Sequence, residues 1–382
     1  MKIAVVTESF LPQVNGVTNS VLRVLETLRD NGHQALVIAP EGGEVPSEYA
    51  GHRVKTINAL QVQNVLPVGM PMGLPSRKLL HILDGFAPDV LHIASPFALG
   101  AYTSRIAKKL KVPTLSVYQT DIAGFAKHYG MTLAHSALRK MVGKIHAQTD
   151  RTLAPSSSAC RELTDQGVEN VHLWRRGVNT ELFHPNAYSS SLRKLWDPSG
   201  KKTIVGYVGR LANEKRVYDL RFIARDPNVQ LVITGDGPAR EKLEKEIPDA
   251  IFMGFKAGNE LAQIYASLDL FVHPGPNETF CQAVQEALSS GTPCVVPTTG
   301  GPADLVTHGV TGYVIHTHRS DELDAAVLHF RLRNDRDEMR GNARASVEMR
   351  TWKFVNDQLL NHYQELIENN RNNLAKISGS VA

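Results

Sequence analysis

The sequence predicts two parallel α/β domains of similar size, each a sheet of buried strands with helices on both faces. Three observations lead there. At 382 residues the chain is too long for one typical domain and suits two of about 190. Short β-rich runs without polar alternation recur between amphipathic stretches, the pattern of strands buried on both faces. The alternation breaks once, over the polar, turn-rich stretch 175–200, and then restarts. That break is the expected crossing between domains 1–177 and 178–357.

In the first domain strands are expected at 3–6, 35–39, 54–57, 90–93, 114–117, 151–154 and 171–173. Helices fall between several of them, at 17–31, 76–86, 100–111, 134–149 and 156–166. Gly32 and Gly167 stand where helix C-caps belong. The second domain reads as strand 203–208, helix 217–224, strand 230–234, helix 239–246, strand 251–253 and helix 260–267. A strand-loop-helix-strand unit follows, then a strand at 312–315. Helices at 321–332, 335–347 and 352–369 close the chain before a polar tail. Facing strand C-termini of two such domains form a central cleft, the general ligand position in these sheets.

Composition narrows the function classes. The chain is 42% hydrophobic and 21% charged, ordinary for a soluble globular protein. No run of 18 apolar residues exists to span a membrane, and Lys2-Ile3-Ala4-Val5-Val6 enters a strand at once, without a signal peptide. A cytoplasmic protein is expected. The net charge of +4 is uneven: residues 1–180 carry 19 Lys+Arg against 13 Asp+Glu, the remainder 23 against 25. Only the first domain is therefore expected to meet an anionic surface, and no nucleic-acid partner is expected. Cys160, Cys281 and Cys294 lie in apolar or helical contexts and read as reduced thiols. No His stands in a suggestive relation to Cys281, so a cysteine nucleophile is not expected.

The chain is organised around residues 277–291, Asn-Glu-Thr-Phe-Cys-Gln-Ala-Val-Gln-Glu-Ala-Leu-Ser-Ser-Gly. Phe280, Val284, Ala287 and Leu288 recur at helical spacing, and Gly291 ends the helix. Two carboxylates remain, Glu278 and Glu286. Eight helical residues rotate about 800° and rise about 12 Å, the length of a sugar diphosphate plus a ribose. Backbone N–H groups around Phe280 and Cys281 supply an anion site between the acids. A surface helix with two solvated glutamates has the same spacing, so the neighbouring loops decide.

Three loops bear on it. Residues 8–20 follow the first strand, and Asn15-Gly16 opens a helix whose N–H groups suit a phosphate; an ordinary βα turn has the same form. Gly209-Arg210-Leu211-Ala212-Asn213-Glu214-Lys215 ends the first strand of the second domain. Arg210 offers a planar fork and Lys215 a point charge, a pair suited to a diphosphate leaving group, though also to a solvated loop. Gly235-Asp236-Gly237-Pro238 ends another strand at the same edge. No Asp-x-Asp follows a strand and no His/Glu pair has metal spacing. No metal is expected, and Arg210 with Lys215 takes that electrostatic role.

With these loops in order, the chain resembles the retaining family 4 glycosyltransferases, in which two Rossmann-like domains face a cleft (GT-B) and a terminal helix crosses back to the first domain. Here that return covers about 358–382. The motifs are Pro-x-x-Asn-Gly-Val, Gly-Arg-Leu-x-x-Glu-Lys, Gly-Asp-Gly-Pro and Glu-x7-Glu. The stretches 7–17, Val117-Tyr118-Gln119-Thr120-Asp121 and Glu278-Thr279-Phe280-Cys281-Gln282 look like GDP-mannose-dependent α-mannosyltransferases of bacterial glycolipid synthesis, associated with a glucuronosyl diacylglycerol acceptor. The resemblance implies that Gly16 approaches the diphosphate and that Arg210 and Lys215 bind it. Glu286 then holds the ribose, and Glu278 with the Thr279–Cys281 backbone holds the mannose. Where many relatives carry a His beside the reacting carbon, this chain has Gln119. Gln hydrogen-bonds a sugar hydroxyl but exchanges no proton at neutral pH, which fits a leaving phosphate that accepts the acceptor's proton itself. A UDP-hexose donor, an epimerase and a non-catalytic nucleotide-sugar binder are the alternatives.

The acceptor side points to a membrane. Leu138, Met141, Val142 and Ile145 recur at helical spacing beside Arg139, Lys140, Lys144 and His146, and the loop 65–74 is apolar. Such a helix rests on an anionic leaflet or packs on a core with a solvated basic face. The lipid acceptor implied by the resemblance favours peripheral contact with the inner face of the cytoplasmic membrane.

Overall fold

The computed structural model describes residues 1–13, 15–61, 71–94, 98–119, 132–317 and 319–379. The chain forms two compact units, Met1–Arg175 with Lys353–Ala382, and Arg176–Trp352.

In the first unit an eight-stranded sheet contains β1 (Lys2–Val6), β2 (Gln34–Pro40), β3 (Glu48–Tyr49), β4 (His52–Ile57), β7 (Val90–Ile93), β8 (Thr114–Val117), β9 (Arg151–Ala154) and β10 (Val171–Leu173). Its order is β10-β9-β8-β7-β1-β2-β4-β3, and every pairing is parallel except β3 with β4. A separate antiparallel pair, β5 (Ala59–Gln61) with β6 (Pro71–Gly73), follows β4. Neither β3 nor this pair is foreseen in the sequence reading, because segments of two or three residues carry no periodicity. The chain runs from β1 outward through β2 and β4, then crosses to β7 on the other side of β1. The crevice between the C-terminal ends of β1 and β7 is thus the point at which the strand order reverses.

Helix Gly16–Asp30 leaves that crevice. Asn15 caps it: its side-chain oxygen accepts from the N–H groups of Val17 (2.9 Å) and Thr18 (3.0 Å), and its amide donates to Ser9 Oγ (2.7 Å). Val21, Val24, Leu25 and Leu28 bury its inner stripe. Against it packs the helix Trp352–Gly379, which runs ten residues beyond the stretch expected to end at 369. Val355, Leu359, Tyr363 and Ile367 enter the first unit's core, Trp174 Nε1 donates to Val355 O (2.9 Å), and the Tyr363 hydroxyl meets His92 Nδ1 on β7.

The second unit holds a wholly parallel sheet of β11 (Thr203–Val208), β12 (Val229–Thr234), β13 (Ile251–Gly254), β14 (Leu270–Val272), β15 (Cys294–Pro297) and β16 (Gly312–Ile315). The order is β13-β12-β11-β14-β15-β16, so the reversal lies between β11 and β14. Residues 175–200, read as irregular, contain the helix Ser190–Trp196. Ser189 caps it and Trp196 is buried, but seven residues are too few to show a stripe. The expected helix 217–224 is a 3-10 turn, Val217–Leu220, followed by one α turn, Arg221–Ala224.

The inner stripe of Trp352–Gly379 closes the first unit's core. Leu359→Ala is therefore expected to lower stability by about 2–5 kcal/mol, read as a fall in the urea midpoint at unchanged slope.

Candidate active site

The reversal point of the second sheet gathers the charged residues singled out in the sequence. Lys215 ends the 3-10 turn Asn213–Lys215 in the loop after β11. Glu278 lies in the loop after β14, and its Oε1 sits 2.5 Å from Lys215 Nζ. His273, the residue that follows β14, places Nε2 3.5 Å from the same oxygen. The His273 ring stacks on Tyr207 of β11, with centroids 6.3 Å apart and planes 14° from parallel. Adjacent strands thus hand one carboxylate a fixed ammonium and a fixed imidazole.

The electrostatics follow from that geometry. Burial pushes the Glu278 carboxyl up, but Lys215 and His273 outweigh it and hold the pKa down to about 2. Burial likewise pushes the Lys215 ammonium down, and Glu278 more than restores it. Both groups are charged at neutral pH. Burial lowers Arg176 to about 10 against the pull of Glu278, so a third cation belongs to the cluster. Arg210 lies at the loop mouth, 47% exposed, with its guanidinium 4.0 Å from the buried Glu214.

Close backbone packing holds these loops. Gly301 N–H donates to Glu278 O (2.7 Å), and a Cβ on Gly301 would fall on Phe280 Cα and Thr279 O. The Gly235-Asp236-Gly237-Pro238 loop presses on the Arg210 loop in the same way: with φ +134°, Gly235 brings its Cα against Gly209 O, and Leu211 N–H donates to Asp236 O (2.9 Å).

The helix in this stretch is Gln282–Ser289, preceded by Cys281 at φ +82°. Glu278 therefore stands in the loop, and the expected eight-residue helical rotation between Glu278 and Glu286 does not apply. Phe280 is buried in the core, the left-handed turn at Cys281 redirects the chain, and the free helical N–H groups begin at Gln282. Glu286 lies half-buried on the helix. Burial pushes its carboxyl up to about 7, against the Tyr265 hydroxyl and the Gln282 amide, which favour the charged form.

That turn also overturns two sequence expectations about ligands. His273, Glu278 and Cys281 each present a donor atom, and the three lie within 4.8 Å of one another. A His does stand beside Cys281, and a His/Glu pair does approach metal-ligand spacing. Linear separations of five and three residues across a non-helical loop give no sign of this. His273 and Arg176 are the residues that sequence reasoning missed. The only signal for Arg176 is its place in Arg175-Arg176-Gly177, read as part of the crossing.

The first unit presents Gly16 at the exposed start of its helix, at the reversal point of that sheet. Gln119 follows β8, and its amide donates to Ala94 O (3.1 Å), beside β7. Asp121 and residues 65–70 of the expected apolar loop 65–74 lie outside the described residues, and Pro71–Gly73 of that stretch form the strand β6. On the helix Thr132–His146, Val142 and Ile145 are buried, Val142 in a cluster with Tyr118, Ala154 and Leu163. This part of the apolar stripe is core, which leaves Lys140, Met141 and Lys144 exposed and Arg139 3.7 Å from Glu162. Among the described residues no helix is long and apolar enough to cross a membrane.

Residues 14–182 match the family described as Glycosyltransferase Family 4, and residues 190–346 match Glycosyl transferases group 1. The chain is 46% identical over 371 residues to the GDP-mannose-dependent alpha-mannosyltransferase of Corynebacterium glutamicum, covering 96% of this chain and 89% of that protein. The chain belongs to the family 4 glycosyltransferases. Another relative is the alpha-monoglucosyldiacylglycerol synthase of Acholeplasma laidlawii, 25% identical over 98% of this chain and 100% of that one. Among solved structures, HepE of Anabaena in complex with UDP superposes with a TM-score of 0.76 at 18% identity, covering 96% and 100% of the two chains. Its likeness establishes the glycosyltransferase fold, with parallel sheets in two Rossmann-like units. The chain is therefore an enzyme of glycosyl transfer.

The raised Glu286 carboxyl makes stability depend on pH in a defined window. The unfolded carboxyl, near 4.5, gives up its proton before the native one, near 7. The stability this proton contributes is fully present below pH 4.5 and lost as pH rises through 7. Glu286→Gln is expected to gain stability relative to wild type across pH 4.5–7, shown by paired urea denaturations at several pH values.

Proposed function

We propose that the chain transfers mannose from GDP-mannose to a lipid-linked sugar of the glucuronosyl diacylglycerol type, with retention and an α linkage. The 46% identity to a GDP-mannose-dependent alpha-mannosyltransferase carries the donor choice. The diacylglycerol-handling relative and the lipid acceptor implied by the motif resemblance support the acceptor class.

In this reading the C1–O bond of the donor breaks toward the diphosphate. Arg210, Lys215 and the Gln282 helix terminus stabilise the charge it gains, and Gly16 is assigned to the same diphosphate. Glu278, already ionised, holds hexose hydroxyls together with the Thr279–Cys281 backbone, and Glu286 holds the ribose. The acceptor hydroxyl adds to C1 from the face the phosphate leaves, and its proton passes to the departing phosphate oxygen. Gln119 orients a sugar hydroxyl, and Asp121 lies on the acceptor side. No metal is needed, because the diphosphate charge is met by fixed cations. The protein works as a peripheral enzyme on the inner face of the cytoplasmic membrane, through the basic first unit.

The deciding assay offers radiolabelled GDP-mannose or UDP-glucose with membrane lipid extract. Labelled lipid from GDP-mannose alone supports the reading. Lipid labelled only from UDP-glucose assigns a UDP-hexose donor, free sugar or epimer formed without acceptor assigns an epimerase, and no product from either assigns a binding protein. In that assay Arg210→Ala and Lys215→Ala, folded by circular dichroism, are each expected to lose about 10²–10³-fold in turnover, or about 2.7–4 kcal/mol of barrier. Near-wild-type rates would remove these residues from the diphosphate site. EDTA is expected not to lower activity; loss restored by Mn²⁺ or Mg²⁺ would show a required cation.

Membrane contact is tested by flotation. The wild type is expected to float with anionic vesicles at low salt and to release at high salt. Each of Arg139, Lys140 and Lys144 near the surface contributes about 1 kcal/mol, so reversing all three to Glu is expected to abolish flotation. Indifference of the wild type to anionic vesicles would refute peripheral binding.

A further inference from the structure

The loop that carries Glu278 gathers three potential metal-donor side chains. His273 is 3% exposed, and among the described residues neither ring nitrogen makes a hydrogen bond of ordinary geometry. The groups it faces are the Glu278 carboxylate, 3.5 Å from Nε2, and the thiol of the buried Cys281. One nitrogen, one oxygen and one sulfur donor thus lie within 4.8 Å of each other on a single loop. Tetrahedral zinc sites, with bonds of about 2.0–2.3 Å, hold their donors roughly 3.4–3.8 Å apart. Small side-chain rotations separate the present positions from that geometry.

We propose that His273, Glu278 and Cys281 form a binding site for a thiophilic divalent cation of the Zn²⁺ class, and that its occupancy blocks donor binding. The thiolate sets the preference. Mg²⁺ and Mn²⁺ favour oxygen donors, whereas sulfur with imidazole favours zinc and its neighbours. Three protein donors leave a fourth position for water. Binding displaces the proton of the Cys281 thiol, and any proton on His273, to the solvent.

Lys215 decides the consequence. Its Nζ lies 2.5 Å from Glu278 Oε1, the same oxygen that faces His273. An ammonium and a divalent cation held at one carboxylate repel each other, so metal and Lys215 compete for Glu278. A bound cation would break the ion pair that positions Lys215 and would occupy the carboxylate assigned to the hexose. The predicted effect of metal is thus inhibition rather than activation. The blocking half of the proposal rests on the donor-site reading above; the binding half does not.

The test titrates metal-stripped full-length protein with Co²⁺ and then Zn²⁺, without donor. The wild type is expected to bind one Co²⁺ with a thiolate-to-cobalt charge-transfer band, which Zn²⁺ abolishes. Cys281→Ser, checked for folding by circular dichroism, is expected to lose the band, and Cys160→Ser to keep it. His273→Gln is expected to weaken Zn²⁺ by about tenfold or more, and it decides the matter if Cys281→Ser does not fold. Lys215→Met removes the competitor and is expected to bind Zn²⁺ about tenfold more tightly, a gain that a stray surface thiol would not show. No band in the wild type, a band surviving in folded Cys281→Ser, or unchanged affinity in Lys215→Met would overturn the site.

A second arm measures GDP-mannose transfer with Zn²⁺ equimolar to the protein. At least about tenfold inhibition reversed by chelator supports blocking. Binding with undiminished transfer overturns blocking. Absence of transfer by the metal-free protein refutes the proposed function instead, and leaves the cobalt band to judge the site.

Discussion

The ion pair between Lys215 and Glu278 is the contact on which the second unit's functional edge depends. Its two residues belong to loops that follow β11 and β14, neighbours in space but separated by two strands in the chain. Taking a carboxylate and an ammonium out of water is costly, and the attraction between them offsets that cost only when geometry is held. The Tyr207–His273 stack and the Gly301–Glu278 backbone bond do the holding. The result is an anion that stays charged although mostly withdrawn from water, against a cation held in contact with it.

The same constraint explains the small residues around the site. Gly235 and Gly301 let backbone approach backbone more closely than any side chain permits. Each brings one loop against another, so the position of the Arg210 loop depends on the Gly235 loop, and that of Glu278 on Gly301. A charged cluster at an open strand edge has no apolar core of its own. Its order derives from these main-chain contacts and from Phe280, which anchors the loop in the core. The first unit uses a different device at its equivalent position: Asn15 caps the helix that leaves β1 while its amide ties back to Ser9.

One loop therefore carries competing demands. Glu278 stays ionised beside Lys215, and lies close to His273 and Cys281 because the chain turns left-handed at Cys281. An imidazole and a thiol beside a carboxylate form a metal ligand set whether or not the reaction uses one. The Lys215 ammonium, paired with the same carboxylate, opposes that fate electrostatically.

What the sequence by itself determined is the local and periodic part. The strands, most helices, the crossing after residue 175 and the candidate loops could be read because β runs, helical stripes and Pro/Gly turns are written over adjacent residues. The motifs Gly209–Lys215 and Glu-x7-Glu likewise carried the family resemblance that the 46% identity shows. Only the tertiary structure decided that Glu278 stands before the helix rather than on it, and that Lys215 and His273 share one of its oxygens. It alone buried Val142 and Ile145, turning part of an apparent lipid-facing stripe into core, and placed Arg176 within the field of Glu278. The reason is physical. Periodicity reports which residues of one segment share a face, whereas a site is made where loops of strands distant in the chain meet. Which groups meet there is set by the order of strands in the sheet and by the backbone turns at its edge.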